Sequence, residues 1–328
     1  MRLRGVTALL LLILAGCGQP PPPLRVPGSI AQGLAEKPVP LLWEMERRGS
    51  AAPVRRITYL LPGALSTSAI FGPLRRAEGP HHLVMEYRFP GMQGQPLDPP
   101  MRIAQVAAAI AAHARLHPQA RVEMLAFSTG GAIALEAAGR LGPERRTRLV
   151  ILSGAAPFPG AYDSALRGAF ALLASVISSG STDMRMVWSE YYKTLLYGYG
   201  WRRNPEIRSR AEARAAADRS SLTLPVRGRG RAQTRDLLSW RLSDAALSSG
   251  AEILFLHGNL DPVFPPARAK RLAARLGARL CLIPGGGHLL ITTHPEILRL
   301  ANDYFAGRWP ATECNGALLR HDWPGRGN

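Results

Sequence analysis

The chain has 328 residues, 46% of them hydrophobic, which supports a real core and excludes a peptide hormone, a small disulfide scaffold or wholesale disorder. Its three cysteines exclude a disulfide framework and, without histidine help, a four-thiolate metal site. The formal charge of +18 comes from 41 basic against 23 acidic residues, but 38 of the 41 are arginines scattered singly or in pairs, which points to solvated surface and away from a nucleic-acid-binding arm.

The first element is an address. Arg2 and Arg4 precede an apolar stretch from Val6 to Ala15, too short to span a bilayer and built like a secretory signal. The end of that stretch, Leu14-Ala15-Gly16-Cys17, resembles the lipobox of bacterial lipoproteins. The resemblance implies cleavage before Cys17 and lipidation of Cys17. It implies a place in the bacterial cell envelope, and Gly18 after the cysteine favours the outer membrane, facing the periplasm. Removal of residues 1–16 takes two arginines, leaving a mature chain of +16. Pro20 to Pro23 and further prolines at 27, 38 and 40 follow, so residues 17–52 read as an extended tether.

The body alternates strands and helices. Arg56–Leu61 is a β-branched and aromatic run that stops at Pro62-Gly63, and Leu83–Tyr87 is a second strand. Met101–Leu116 carries Ile103, Val106, Ala107 and Ile110 at helical spacing. Arg121–Phe127 is a third strand, and a helix from about Thr129 to Arg140 ends at Gly142-Pro143. Arg148–Leu152 and Glu252–Leu256 are further strands, Pro266–Leu276 a helix, and Arg279–Ile283 a last strand. Thr293 and Glu296 have the spacing of a capping box for a final helix. This alternation predicts an α/β fold with a mostly parallel sheet covered on both faces, whose sites form at the carboxyl ends of strands.

Residues 155–247 break the pattern. They hold an apolar run from Ala165 to Ile177, the aromatics Trp188, Tyr191, Tyr192, Tyr197, Tyr199 and Trp201, and an arginine-rich stretch to Arg219. Their length exceeds a loop and predicts a mainly helical cap. The chain thus divides into signal (1–16), tether (17–52), core (53–154), cap (155–247), core (248–306) and tail (307–328).

Ala126-Phe127-Ser128-Thr129-Gly130-Gly131 joins a strand to a helix. It resembles the nucleophile elbow of the α/β-hydrolase family, with Ala126 in place of the first glycine. His257-Gly258-Asn259-Leu260-Asp261-Pro262 resembles that family's acid loop, and Pro284-Gly285-Gly286-Gly287-His288 its histidine loop. The resemblance covers Ile57 to about Phe305, apart from the cap. It implies the α/β-hydrolase fold and a triad of Ser128, Asp261 and His288. It implies an oxyanion hole made by the amides of Thr129 and of Ala64 in Leu61-Pro62-Gly63-Ala64-Leu65, with Leu65 as runner-up. Family members often carry His-Gly where this chain has Pro62-Gly63.

His257 ends its strand too early for the base position and reads as structural. His81, His82, His113 and His117 lack metal-ligand context and read as surface or helix residues. No metal or organic cofactor is implied. Cys281 and Cys314 either pair, in an oxidising compartment, or stand as separate thiols.

The expected activity is a membrane-anchored serine hydrolase of the carboxylesterase or lipase type that cleaves small or lipid-like esters through an acyl-enzyme. The cap aromatics either line an apolar pocket or form the cap's own core. The alternatives are a lysophospholipase or acyltransferase acting on phospholipid, and a non-catalytic envelope lipoprotein that kept the fold. Anionic head groups are the expected partners for the positive charge, and nucleic acid is not. The sequence leaves the oligomeric state open.

Overall fold

The computed structural model describes residues 41–46, 52–154, 156–181, 183–220, 222 and 224–308. The signal segment, Cys17, nearly all of the tether and Cys314 lie outside them.

Seven strands form one sheet: β1 (Leu42–Glu46), β2 (Arg56–Leu61), β3 (His82–Tyr87), β4 (Arg121–Phe127), β5 (Thr147–Leu152), β6 (Glu252–Gly258) and β7 (Arg279–Ile283). Their spatial order is β1-β3-β2-β4-β5-β6-β7. Every pair is parallel except β1 with β3. The central strands β2, β4, β5 and β6 are almost wholly buried, because helices cover both faces of a parallel sheet.

On one face, α1 (Ile103–Arg115) and α2 (Gly130–Leu141) pack against Ile57, Tyr59, Met124 and Ile151. Between β5 and β6 come α3 (Gly160–Ser179), α4 (Met184–Tyr197), α5 (Pro205–Ala217), α6 (Arg229–Ser239) and the short α7 (Asp244–Leu247). The chain closes with α8 (Pro266–Arg275), the single turn α9 (Leu290–Thr293) and α10 (Ile297–Phe305). The buried residues of α10 join Leu60, Leu125 and Leu254 in the core on the other face.

Three features depart from the sequence reading. Leu42–Glu46, read as tether, is an edge strand whose Trp43 faces Glu86 in the antiparallel register. His82, read as a surface or helix residue, is buried in β3, where its Nε2 meets Thr58 Oγ1 at 2.8 Å. Burial lowers its pKa to about 3, and the nearby Arg56 charge adds to this. The same threonine donates to the buried Glu123 at 2.9 Å, so a polar network crosses the starting ends of β2, β3 and β4. Finally, Thr293 caps no helix. It ends α9, and α10 begins at Ile297 after Glu296, without a side-chain cap. Pro295 is the reason, since it drives His294 out of the helical region, to φ −137° and ψ 66°.

Candidate active site

Ser128, Asp261 and His288 lie in the turns that follow β4, β6 and β7, at carboxyl ends on the same edge of one sheet, with β5 between β4 and β6. Ser128 stands at φ 51°, a left-handed conformation rare for a side-chain-bearing residue. Two bonds hold it there: its N–H donates to Leu152 O at 2.9 Å, and its carbonyl accepts from Gly131 N at 2.9 Å. The turn is affordable only with glycine beside it. A Cβ on Gly130 would come within 2.2 Å of Leu61 O, and one on Gly63 within 2.7 Å of the Phe127 ring. Ala126, in the position where the family motif has glycine, is fully buried and paired with Ile151 and Leu61.

The three side chains form a chain of hydrogen bonds. His288 Nε2 lies 3.1 Å from Ser128 Oγ, and His288 Nδ1 lies 2.9 Å from Asp261 Oδ2. The other carboxylate oxygen, Oδ1, accepts the amides of Val263 at 2.8 Å and Phe264 at 2.9 Å. Burial alone would raise the Asp261 carboxyl. The charge and hydrogen bond of His288, with His257 and the Phe264 amide, outweigh burial and hold it below its ordinary value. An ionised Asp261 only accepts, so the His288 Nδ1–H donates to it and Nε2 is left as a hydrogen-bond acceptor facing the Ser128 hydroxyl. The His288 ring is packed between Phe127 and Phe264, with centroids 5.3 and 5.6 Å away.

His257 is structural in geometry, as its place in the strand suggests. It is fully buried, and its Nε2–H donates to Phe264 O at 2.7 Å. That bond braces the loop whose amides hold Asp261. Burial lowers the His257 pKa, against the pull of Asp261 and Phe264 O.

Of the two residues expected to supply oxyanion donors, Thr129 opens α2 directly after Ser128, and Ala64 lies in the loop after β2. Among the described residues, no acceptor stands against either amide. Leu65 differs. It has φ 61°, and its N–H is taken by Gln233 Oε1 at 2.6 Å. Gln233, fully buried on α6, donates its Nε2–H to Pro90 O at 2.7 Å. The sequence gives no sign of Gln233, because the contact spans 168 residues.

The helices between β5 and β6 also reach the histidine loop. The amides of Gly287 and Leu289, on either side of His288, donate to Leu196 O at 2.9 Å and Leu195 O at 3.1 Å near the end of α4. A Cβ on Gly287 would lie 2.4 Å from Leu195 O, so this approach needs glycine. The aromatics of the segment largely partner its own residues. Trp188 stacks on Tyr191 with centroids 5.3 Å apart, Trp201 is buried, and the Tyr192 hydroxyl donates to Asp218 at 2.6 Å. Burial, with Tyr199 and Asp261 nearby, pushes the Tyr191 pKa up to about 12. A cavity of about 880 Å³ opens between α3, α4 and α5, but its walls include none of Ser128, Asp261 or His288.

Cys281 is buried in β7 and disulfide-bonded. Cys314, the partner that the sequence left open, lies outside the described residues, as does Cys17. Among the described residues, no cluster of three or more His, Cys, Asp or Glu is placed to hold a metal ion.

Known structures share this arrangement of strands and helices. MGS-M2, an alpha/beta hydrolase from a Medee basin deep-sea metagenome library, aligns with a TM-score of 0.59 at 15% identity, over 83% of this chain and 96% of its own. An enol-lactonase from Burkholderia xenovorans LB400 aligns with a TM-score of 0.59 at 16% identity, over 81% and 96%. A thermophilic esterase from Thermogutta terrifontis aligns with a TM-score of 0.57 at 16% identity, over 82% and 94%. At such identities the likeness speaks for the fold alone. The family model described as "Alpha/beta hydrolase family" matches residues 59–299, well over half of the sequence and all three strand-end turns. The chain belongs to the alpha/beta hydrolase family.

Proposed function

We propose that the protein is a serine hydrolase that cleaves carboxylic esters through an acyl-enzyme. The observation that carries this reading is the continuous relay from Ser128 Oγ through the His288 ring to Asp261, with the serine in a left-handed turn at the mouth of the sheet. In this reading Ser128 Oγ attacks the ester carbonyl carbon while His288 Nε2 takes its proton. Asp261 fixes the imidazole tautomer and stabilises the imidazolium. The amides of Ala64 and Thr129 stabilise the tetrahedral oxyanion, and His288 returns the proton to the leaving alcohol. Water, deprotonated by the same nitrogen, then attacks the acyl-enzyme, and Ser128 leaves as the product acid forms.

The lipobox-like segment ending at Cys17 supports a lipid-anchored location in the bacterial envelope, which brings lipid-like esters within reach. The basic balance of the residues between β5 and β6 argues against a site that recognises a substrate ammonium group.

The test is Ser128→Ala alongside wild type, against p-nitrophenyl esters of increasing chain length and a fluorophosphonate probe. Turnover and labelling should vanish while the melting temperature stays close to wild type. Hydrolysis retained by the variant refutes the assignment. The anchor is tested separately, by the added mass of lipid on the N-terminal peptide that begins at Cys17.

A further inference from the structure

Helix α3 is built inside out. Its buried residues are small, namely Gly160, Ala161, Ser164, Ala171 and Ser175. Two of these serines bond back to helix carbonyls, Ser164 to Gly160 O and Ser175 to Ala171 O, and so present little polarity to their neighbours. Leu172, Leu173 and Val176 are half-buried, but four large apolar residues face away: Tyr162 is 46% exposed, Leu166 49%, Phe170 61% and Ile177 69%. Spacings of four, four and seven residues keep these four on one side of the helix. Met184 and Met186, on the first turn of α4, are exposed as well. A soluble helix ordinarily buries such a stripe and exposes its small residues.

The segment that carries this stripe has a positive balance. Residues 155–247 carry fourteen basic against eight acidic side chains. The Arg185 guanidinium, between the two methionines, has no carboxylate partner among the described residues, and neither have those of Arg203, Arg208 and Arg219. Exposed apolar side chains among unpaired arginines match an anionic lipid surface, whose acyl region takes the first and whose phosphates take the second. No helix among the described residues is long and apolar enough to cross a membrane, so the contact is lateral.

We infer that the outer face of α3, with the adjoining turn of α4, docks on an anionic lipid surface. Phe170 and Ile177 enter the boundary between head groups and acyl chains, to a depth of about 5–10 Å. The inference rests on the envelope location proposed above only in that the envelope supplies the lipid. It differs from anchoring through Cys17, because it fixes which side of the hydrolase domain meets the membrane. The helices on that side also carry the carbonyls that hold the His288 loop, so docking turns this side of the domain, with the carboxyl ends of the strands, toward its lipid surroundings.

The test uses the full chain reconstituted in phosphatidylglycerol–phosphatidylethanolamine vesicles whose acyl chains are brominated. Three variants each add one tryptophan: Phe170→Trp, Ile177→Trp and, as the remote control, Leu116→Trp. Leu116 is 72% exposed and follows α1 where the chain turns back toward the start of β4, at the opposite end of the sheet. The added emission of the first two should shift to the blue and be mostly quenched, and both effects should weaken when phosphatidylcholine replaces phosphatidylglycerol. The control should match wild type. Equal quenching at all three positions, or none beyond wild type, overturns the inference. A blue shift at Phe170→Trp without lipid, together with a doubled mass in solution, overturns it in favour of a second copy on this face. Failure of the anchor reading shows elsewhere, as missing lipid mass at Cys17, and leaves the contrast among the reporters unchanged.

Discussion

Gln233 offers the sharpest test of how the site is held. Replacing it with leucine keeps the approximate volume and removes both polar ends. The Leu65 N–H then loses its acceptor at 2.6 Å and Pro90 O its donor at 2.7 Å. A buried group left without a partner costs about 1–3 kcal/mol, and water recovers part of this at Leu65, which is only half-buried. Leu65 also sits at φ 61°, a conformation that costs a non-glycine residue roughly 1–3 kcal/mol. Without the glutamine, that strain is free to relax, and relaxation turns the preceding peptide, which carries the Leu65 N–H, together with the neighbouring Ala64 amide. Removal of one oxyanion donor lowers kcat by about 10²–10³, so, with Ala64 in the role proposed above, its displacement should cost on the order of 10–100-fold. Steady-state hydrolysis of a p-nitrophenyl ester should therefore show the loss in kcat with KM nearly unchanged. The rate of fluorophosphonate labelling should fall in parallel. Gln233→Glu keeps an acceptor for Leu65 and should recover part of kcat. If Gln233→Leu lowers the melting temperature but leaves kcat and labelling intact, the glutamine only supports the fold and the reasoning fails.

Three further outcomes follow from the geometry. Because the folded Asp261 pKa lies below its ordinary 3.8, its contribution to stability is complete above that value and is lost as pH falls through the folded one. Melting curves from pH 7 down to pH 2 should show this acid loss in wild type, and Asp261→Asn should flatten it while lowering kcat. Gly130→Ala puts a Cβ 2.2 Å from Leu61 O, a backbone atom that cannot step aside, and should destabilise by at least the roughly 1–3 kcal/mol of ordinary overpacking; an unchanged denaturation midpoint contradicts the geometry. If Cys281 pairs with Cys314, peptide mapping without reductant should recover the two linked. Cys314→Ser should then cost about 3–4 kcal/mol by loop-closure entropy, read from denaturant unfolding.

Strand positions were legible where chemistry marks their ends. β2, β4 and β7 each open on an arginine at the exposed end of the sheet, and β2 stops at Pro62-Gly63. The turns holding Ser128, Asp261 and His288 were legible too, because each needs small residues in a fixed local order. β1 was not, since Leu-Trp-Glu-Met-Glu becomes a strand only by pairing with β3, a partner some forty residues away. His82 failed in the same way: its neighbours Thr58 and Arg56 come from another strand. The capping box at Thr293 had the right spacing, but Pro295 inside the box overrode it. Gln233 was illegible for a different reason, since one glutamine on an arginine-rich helix carries no pattern of its own.

The hydrogen bonds that tie the His288 loop to α4 run entirely between main-chain atoms. Such a joint does not depend on which side chains α4 carries, provided that the helix ends where it does and position 287 stays glycine. Directed evolution can therefore vary the faces of α4 without disturbing the His288 loop. The joint to the loop of Ala64 works through one glutamine side chain. Libraries that reshape substrate choice have wide freedom on α4 and almost none at position 233. Exchanging the whole insert for that of a relative must therefore preserve both the end of α4 and the glutamine at position 233.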